Sequence, residues 1–209
     1  MHLLTDRADI DRAATILAAT DRRRFLTPRL HREMISEMRW PGDQPADSGI
    51  DVRGLELAPG DFAVMEILRR SDVMDLLADW DAGGEALGED VADRVHATSA
   101  IAVITTTGGD QLIDYARGGA AAEAVWIVAQ RTGLAVHPIS PVFLHAAHRH
   151  ELSELSPVFF APPDLVELKL QFSELAGVQP GESLVLILRL AHAGPASTGA
   201  GDGRWVRPR

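Results

Sequence analysis

The chain has 209 residues, 46% hydrophobic and 24% charged, enough for one sizeable domain that buries its own core. It contains no cysteine, which removes disulfides, thiol catalysis and cysteine-based zinc sites. A formal charge of −10 argues against a nucleic-acid partner held by broad electrostatics, and no stretch approaches the ~20 apolar residues of a membrane span. The N-terminal "MHLLTDRADIDRAA" lacks a basic-then-apolar leader pattern, so the expected location is the cytoplasm. Basic charge is almost all arginine: Lys169 is the single lysine, and there is no asparagine.

In chain order, residues 10–20 predict a helix with Ile10, Ala13, Ala14, Leu17 and Ala18 on one face, running out into "TDRRRFLTP". A second helix is expected after Pro28, ending at Trp40-Pro41. "PGDQPADSG" has loop composition, and "IDVRGLEL" alternates imperfectly, as an edge strand does. Residues 61–80 predict a helix broken near Ser71-Asp72, and "DAGGEALGEDVADRVHA" a loop leading into a short helix. "SAIAVITTT" is a strand bounded by Gly108-Gly109. "GGAAAEAVWIVAQR" follows as a helix opened by two glycines and apolar round its whole girth, then "LAVHP" as a short strand. "PVFLHAAHRHELSEL" and "PPDLVELKLQFSELAG" predict helices, and "ESLVLILRLAHA" a fully buried central strand. The Gly-, Pro- and Ser-containing tail 194–209 has too few apolar residues to fold on itself. Helices, strand, helices and strands without regular βαβ alternation give an α+β fold.

Few constellations carry chemistry. Arg22, Arg23 and Arg24, expected just past a helix end and ahead of Phe25, read either as a phosphate cluster or as a basic turn complementing the helix dipole. "HAAHRH" places His145 and His148 at helical i, i+3 spacing with His150 and Glu151 nearby, a metal-ligand pattern or a polar helix face. "TTTGGD" and "DAGGEALG" lack the glycine spacing of phosphate loops, and no GxSxG or Ser-His-Asp spacing supports a nucleophile. Neither a catalytic side chain nor a metal ligand set is assigned.

"GGAAAEAVWIVAQRTGLAVHPISPVF", preceded by "AIAVITTTGGD" and followed by "LVLILRLAHAGPAS", resembles the C-terminal half of the FMN-dependent nitroreductase family. The divergent actinobacterial group is the nearest likeness. It includes flavin-sequestering members and nitroreductase-like portions fused behind a ThiF/E1-like domain associated with molybdopterin biosynthesis. The likeness runs from about residue 10 to the end and is strongest over 99–193. It implies a mixed or antiparallel central sheet flanked by helices, and an intertwined homodimer with FMN at the interface. On that basis 1–193 would be the nitroreductase-like domain and 194–209 an arm laid on the partner. The family's N-terminal phosphate motif falls on "AATDRRRF": Thr20 takes the hydroxyl position and Arg22 the second arginine, with Arg23 and Arg24 beside it, while Ala18 stands where the first arginine would be. The flavin-facing turn falls on Pro138, Ile139 and Ser140, and the C-terminal basic residue on Arg204 or Arg207. Pro141 has no N–H to offer the flavin. The implied activity is NAD(P)H oxidation through FMN, with a quinone- or nitro-type acceptor. The alternative is a non-catalytic flavin-sequestering or dimerisation module, attached to a ThiF-like domain.

Overall fold

A computed structural model of the chain describes residues 1–41, 49–55, 59–80, 84–108, 111–146, 148–156 and 163–193. The order begins with strand β1 (His2–Leu4) and helix α1 (Arg7–Leu26), whose Asp6 cap accepts from the Ala8 and Asp9 N–H groups. Helix α2 (Pro28–Ser36) starts on a proline, then β2 (Met38–Arg39) and β3 (Ile50–Asp51) pair as a short parallel ribbon, ahead of a 3₁₀ turn over Val52–Leu55. Helices α3 (Pro59–Leu68) and α4 (Ser71–Ala78), a 3₁₀ turn (Glu85–Gly88) and α5 (Glu89–His96) follow. Strand β4 (Ala100–Thr107), helix α6 (Leu112–Arg131), strand β5 (Ala135–Ile139) and a 3₁₀ turn (Val142–Leu144) come next. Helices α7 (Arg149–Leu155) and α8 (Leu165–Leu175) lead to β6 (Glu182–Ala191).

The two apolar runs find each other. β4 and β6 pair antiparallel from Ala100 opposite Leu190 to Thr107 opposite Glu182, and β1 and β5 close the edges to give the order β1-β4-β6-β5. All three pairings are antiparallel, and Pro138 sits on edge strand β5, where a missing N–H is tolerated. Alternation divides the strands between two cores. Ile101, Val103 and Ile187 pack with α1 and α8, through Ile10, Ala13, Ala14, Leu17, Leu168 and Phe172, all at most 1% exposed. Ala102, Ile104, Leu188 and Leu190 pack with Ala122 and Ala129 of α6. The result is three layers: helices, sheet, and α6.

Several expectations are corrected. Helix α1 runs through the arginine triplet to Leu26, because arginine is a good helix former and the first breaker is Pro28. Among the described residues of "IDVRGLEL", Ile50–Asp51 is strand and Val52–Leu55 turns 3₁₀. "PVFLHAAHRHELSEL" is a 3₁₀ turn and a separate α7, whose first turn is fixed by the His148 N–H donating to Glu151. His145 and His148 therefore do not share a helix face. Helix α6 begins at Leu112, so Gly118 lies inside it. A Cβ there would come within 2.5 Å of Val185 Cγ1, and the glycine lets helix and strand approach. Within the single chain the girth of α6 is buried on one side only: Leu112, Ile113, Ile127 and Val128 are exposed on it. The arm 194–209 lies outside the described residues.

Candidate anion-binding site

The helical turn spreads the arginine triplet over different surroundings. Arg23 is buried and donates to the Pro163 carbonyl; burial lowers its pKa, with Asp164 opposing. Arg24 points instead to the turn just after β5, where its Nη2 donates to the carbonyl of Ser140. The end of α1 and the "HPISP" turn, 116 residues apart in sequence, thus meet. Thr20, Arg24, Pro138, Ile139 and Ser140 line one cleft of about 150 Å³; Arg22 and Arg23 do not line it, and Arg204 and Arg207 lie outside the described residues.

Three more basic groups complete the cleft. Arg189 of β6 stands opposite His137 of β5 in the sheet register, and Arg94 comes from α5. Arg189 donates through Nη1 to the Arg94 carbonyl at 2.8 Å, and Arg94 Nε pairs with Asp90 Oδ1 at 2.9 Å. Arg24 Nε lies 3.9 Å from Asp21 Oδ1, too far for a hydrogen bond. The Nε atoms of both Arg24 and Arg189 are buried with no hydrogen-bond partner among the described residues. Two buried, undersatisfied guanidinium nitrogens on one cleft constitute demand for an acceptor, ideally an anion.

The field agrees. Burial lowers the Arg189 and His137 pKa values, and Arg94 lowers both further; for His137, Arg189 adds the larger share. His137 is thereby held toward its neutral form. The carboxyl of Asp21 is pushed up to about 6 by burial, with Arg24 pulling the other way and Asp90 adding to the rise. Asp21 is therefore protonated below about pH 6 and ionised above it, so the positive charge of the cleft is least offset on the acid side.

Thr20 is in the cleft, but its hydroxyl donates back to the Leu17 carbonyl at 2.7 Å, as helical threonines commonly do. It offers lone pairs and no proton. Arg94, Arg189 and His137 escaped the sequence reading. Arg189 had a signal: it is the single charge inside the apolar run "LVLILRLA", where an unpaired charge is costly. Of the histidine cluster, His148 and His150 stack at 5.7 Å between ring centroids, and among the described residues no group of three His, Asp or Glu is placed to hold a metal. Nor is any described helix long and apolar enough to cross a membrane.

No family model matches the chain, and no solved structure matches it. A curated Mycobacterium tuberculosis (strain CDC 1551 / Oshkosh) protein, named uncharacterized protein MT1398, is 56% identical over 199 residues. The match takes in 94% of this chain and 27% of that protein, so the chain spans about a quarter of the length of the relative it resembles.

Proposed function

We propose that the chain is an FMN-binding domain of nitroreductase type, acting as a cytoplasmic homodimer, with the Arg24–Arg94–Arg189 cleft as its phosphate site. The observation that carries this is the Arg24–Ser140 contact: the arginine triplet and the Pro138–Ser140 turn, both expected at the flavin, meet at one cationic cleft with two orphaned guanidinium nitrogens. A cleft of about 150 Å³ is smaller than a typical small-molecule site, ~300 Å³ and upward, and suits a phosphate rather than a whole flavin nucleotide. Arg24 and Arg189 would take the phosphate, Arg94 and His137 would set the local field, and the Ser140 turn would be steadied by Arg24. FMN held there would supply the redox chemistry of NAD(P)H oxidation, with a small quinone- or nitro-type molecule as the acceptor. The exposed apolar side of α6 supports the second copy, since water-facing Leu112, Ile113, Ile127 and Val128 mark an interaction surface.

A second reading is favoured by a different observation. Pro138 and Pro141 flank the turn without N–H groups, and the Ser140 carbonyl already accepts from Arg24, which leaves little backbone to address a reacting flavin. This fits a module that sequesters flavin or serves dimerisation inside a longer protein. The much greater length of the mycobacterial relative is compatible with a nitroreductase-like portion fused to a ThiF-like domain. Anaerobic mixing of the FMN-loaded protein with NADH or NADPH separates the two. The oxidoreductase reading expects the flavin absorbance to bleach within turnover time and to return on adding a quinone; a flavin that stays oxidised supports sequestration.

A further inference from the structure

We propose that Asp21 makes the arginine cleft proton-linked: the cleft takes its anion together with one proton on the Asp21 carboxyl, and holds that anion less tightly as pH rises. The inference rests on the phosphate reading above and adds a regulation of the same site. Asp21 stands one turn before Arg24 on α1 and lines the same cleft. Its side chain is only 20% exposed, and its nearest basic atom, Arg24 Nε, is 3.9 Å away. Among the described residues its carboxyl accepts no hydrogen bond that would favour the charged form.

The charged groups facing Asp21 come from three sides. Arg24 is on α1 itself, Asp90 and Arg94 come from α5, and His137 and Arg189 line the cleft from β5 and β6. Helix α5 is held this close because the turn ahead of it meets α1 through Gly88, where a Cβ would collide with the Ala18 carbonyl oxygen. Arg94 is already paired with Asp90, and burial beside two arginines keeps His137 toward its neutral form. The lining Leu17, Val91, Val95 and Ile139 is apolar and screens nothing. An anion drawn to the orphaned Nε atoms of Arg24 and Arg189 therefore arrives beside Asp21 in a space of about 150 Å³. Two like charges there oppose each other, so the anion favours the neutral carboxyl. In the anion-free protein that carboxyl ionises at about 6. Below this pH the anion enters with no change of protonation. Above it binding must take up a proton, and affinity falls by at most about tenfold per pH unit.

The test titrates the full chain with FMN by fluorescence quenching from pH 5 to pH 8, comparing the parent with Asp21→Asn, which keeps the side-chain shape and cannot ionise. The ratio of the two affinities cancels the ligand's own phosphate titration near pH ~6. Asp21→Asn should match the parent at pH 5 and bind ~10- to 100-fold more tightly at pH 8. His137→Gln should keep the parent's pH dependence. Calorimetry of the parent alone at pH 7.5, in buffers of different ionisation heat, should show uptake of more than about half a proton per FMN bound, which a merely structural Asp21 would not produce. An affinity ratio flat in pH, a dependence kept by Asp21→Asn and lost in His137→Gln, or binding without proton uptake would each overturn the proposal and leave the phosphate reading standing. A parent that prefers FMN to riboflavin at no pH would overturn the phosphate reading, and the proton linkage with it.

Discussion

The two faces of the central sheet are built from similar apolar side chains and end very differently. On the α1 side, strand residues Ile101, Val103 and Ile187 meet a deep layer in which Leu17 and Phe172 are fully buried. On the α6 side, Ala102, Ile104, Leu188 and Leu190 meet the alanines of one helix, and beyond that helix Ile127 and Val128 are half or more exposed. The first face is finished by its own chain. The second carries apolar area on both sides of a single helix, and nothing is gained by exposing such area to water. The contrast teaches that apolar girth in α6 reports two neighbours, its own sheet and, under the proposed assembly, the same helix of a second copy.

Substitutions on the two faces break or sharpen that comparison. Phe172→Ala should have the largest effect, about 3–5 kcal/mol of lost stability from an uncollapsed core cavity, read from urea unfolding midpoints. Val128→Glu should move folding stability of the isolated chain by no more than ~0.5 kcal/mol, because the site faces water there. In the proposed dimer it would bury an unpaired charge, so sedimentation should show association weakened roughly 100-fold. A parent protein that sediments as a monomer would make the α6 face something other than a self-interface.

A smaller effect tests the electrostatics of the arginine cleft. Asp21 has a folded pKa raised above its ordinary 3.8 to about 6, so the folded state holds its proton more tightly than the unfolded one. Its ionisation therefore costs stability, and the loss accumulates as pH rises from near 4 through about 6. Between pH 4.5 and 7 this amounts to ~2 kcal/mol. The unfolding free energy of Asp21→Asn relative to the parent should shift in the variant's favour by about that amount over the same interval. A flat difference would mean Asp21 is solvated and the cleft is less closed than its residues indicate.

The legible parts of the molecule were those with a strong period and a clear stop. β4 and β6 showed as β-branched apolar runs, α8 as a helix closed by Gly177, and the break between α3 and α4 at Ser71. Strand β1 was hidden because three residues show no period, and its existence depends on an edge offered by β4. The end of α1 was misplaced because a charge run resembles a helix terminus, although arginines extend helices well. "HAAHRH" has no glycine or proline to announce its break, which comes from the Pro141 turn before it and the Glu151 cap after it. At the site, Arg24 and Ser140 were separately legible, but that they touch depends on how α1 lies across the sheet end. Arg189 was legible only as an anomaly, a charge in an apolar strand whose purpose needs Arg24 and Arg94 beside it.

The central claim is that the arginine cleft takes a phosphate, and a paired titration with FMN and riboflavin tests it most directly, since the two differ by that group alone. Fluorescence quenching of each flavin by the parent protein should show FMN bound ~10- to 100-fold more tightly than riboflavin, the value of one lost charge-assisted contact to a buried guanidinium. Arg24→Ala and Arg189→Ala should each bring FMN toward the riboflavin level while leaving riboflavin unchanged. Equal binding of the two flavins by the parent, or an FMN affinity indifferent to both arginines, would contradict the account.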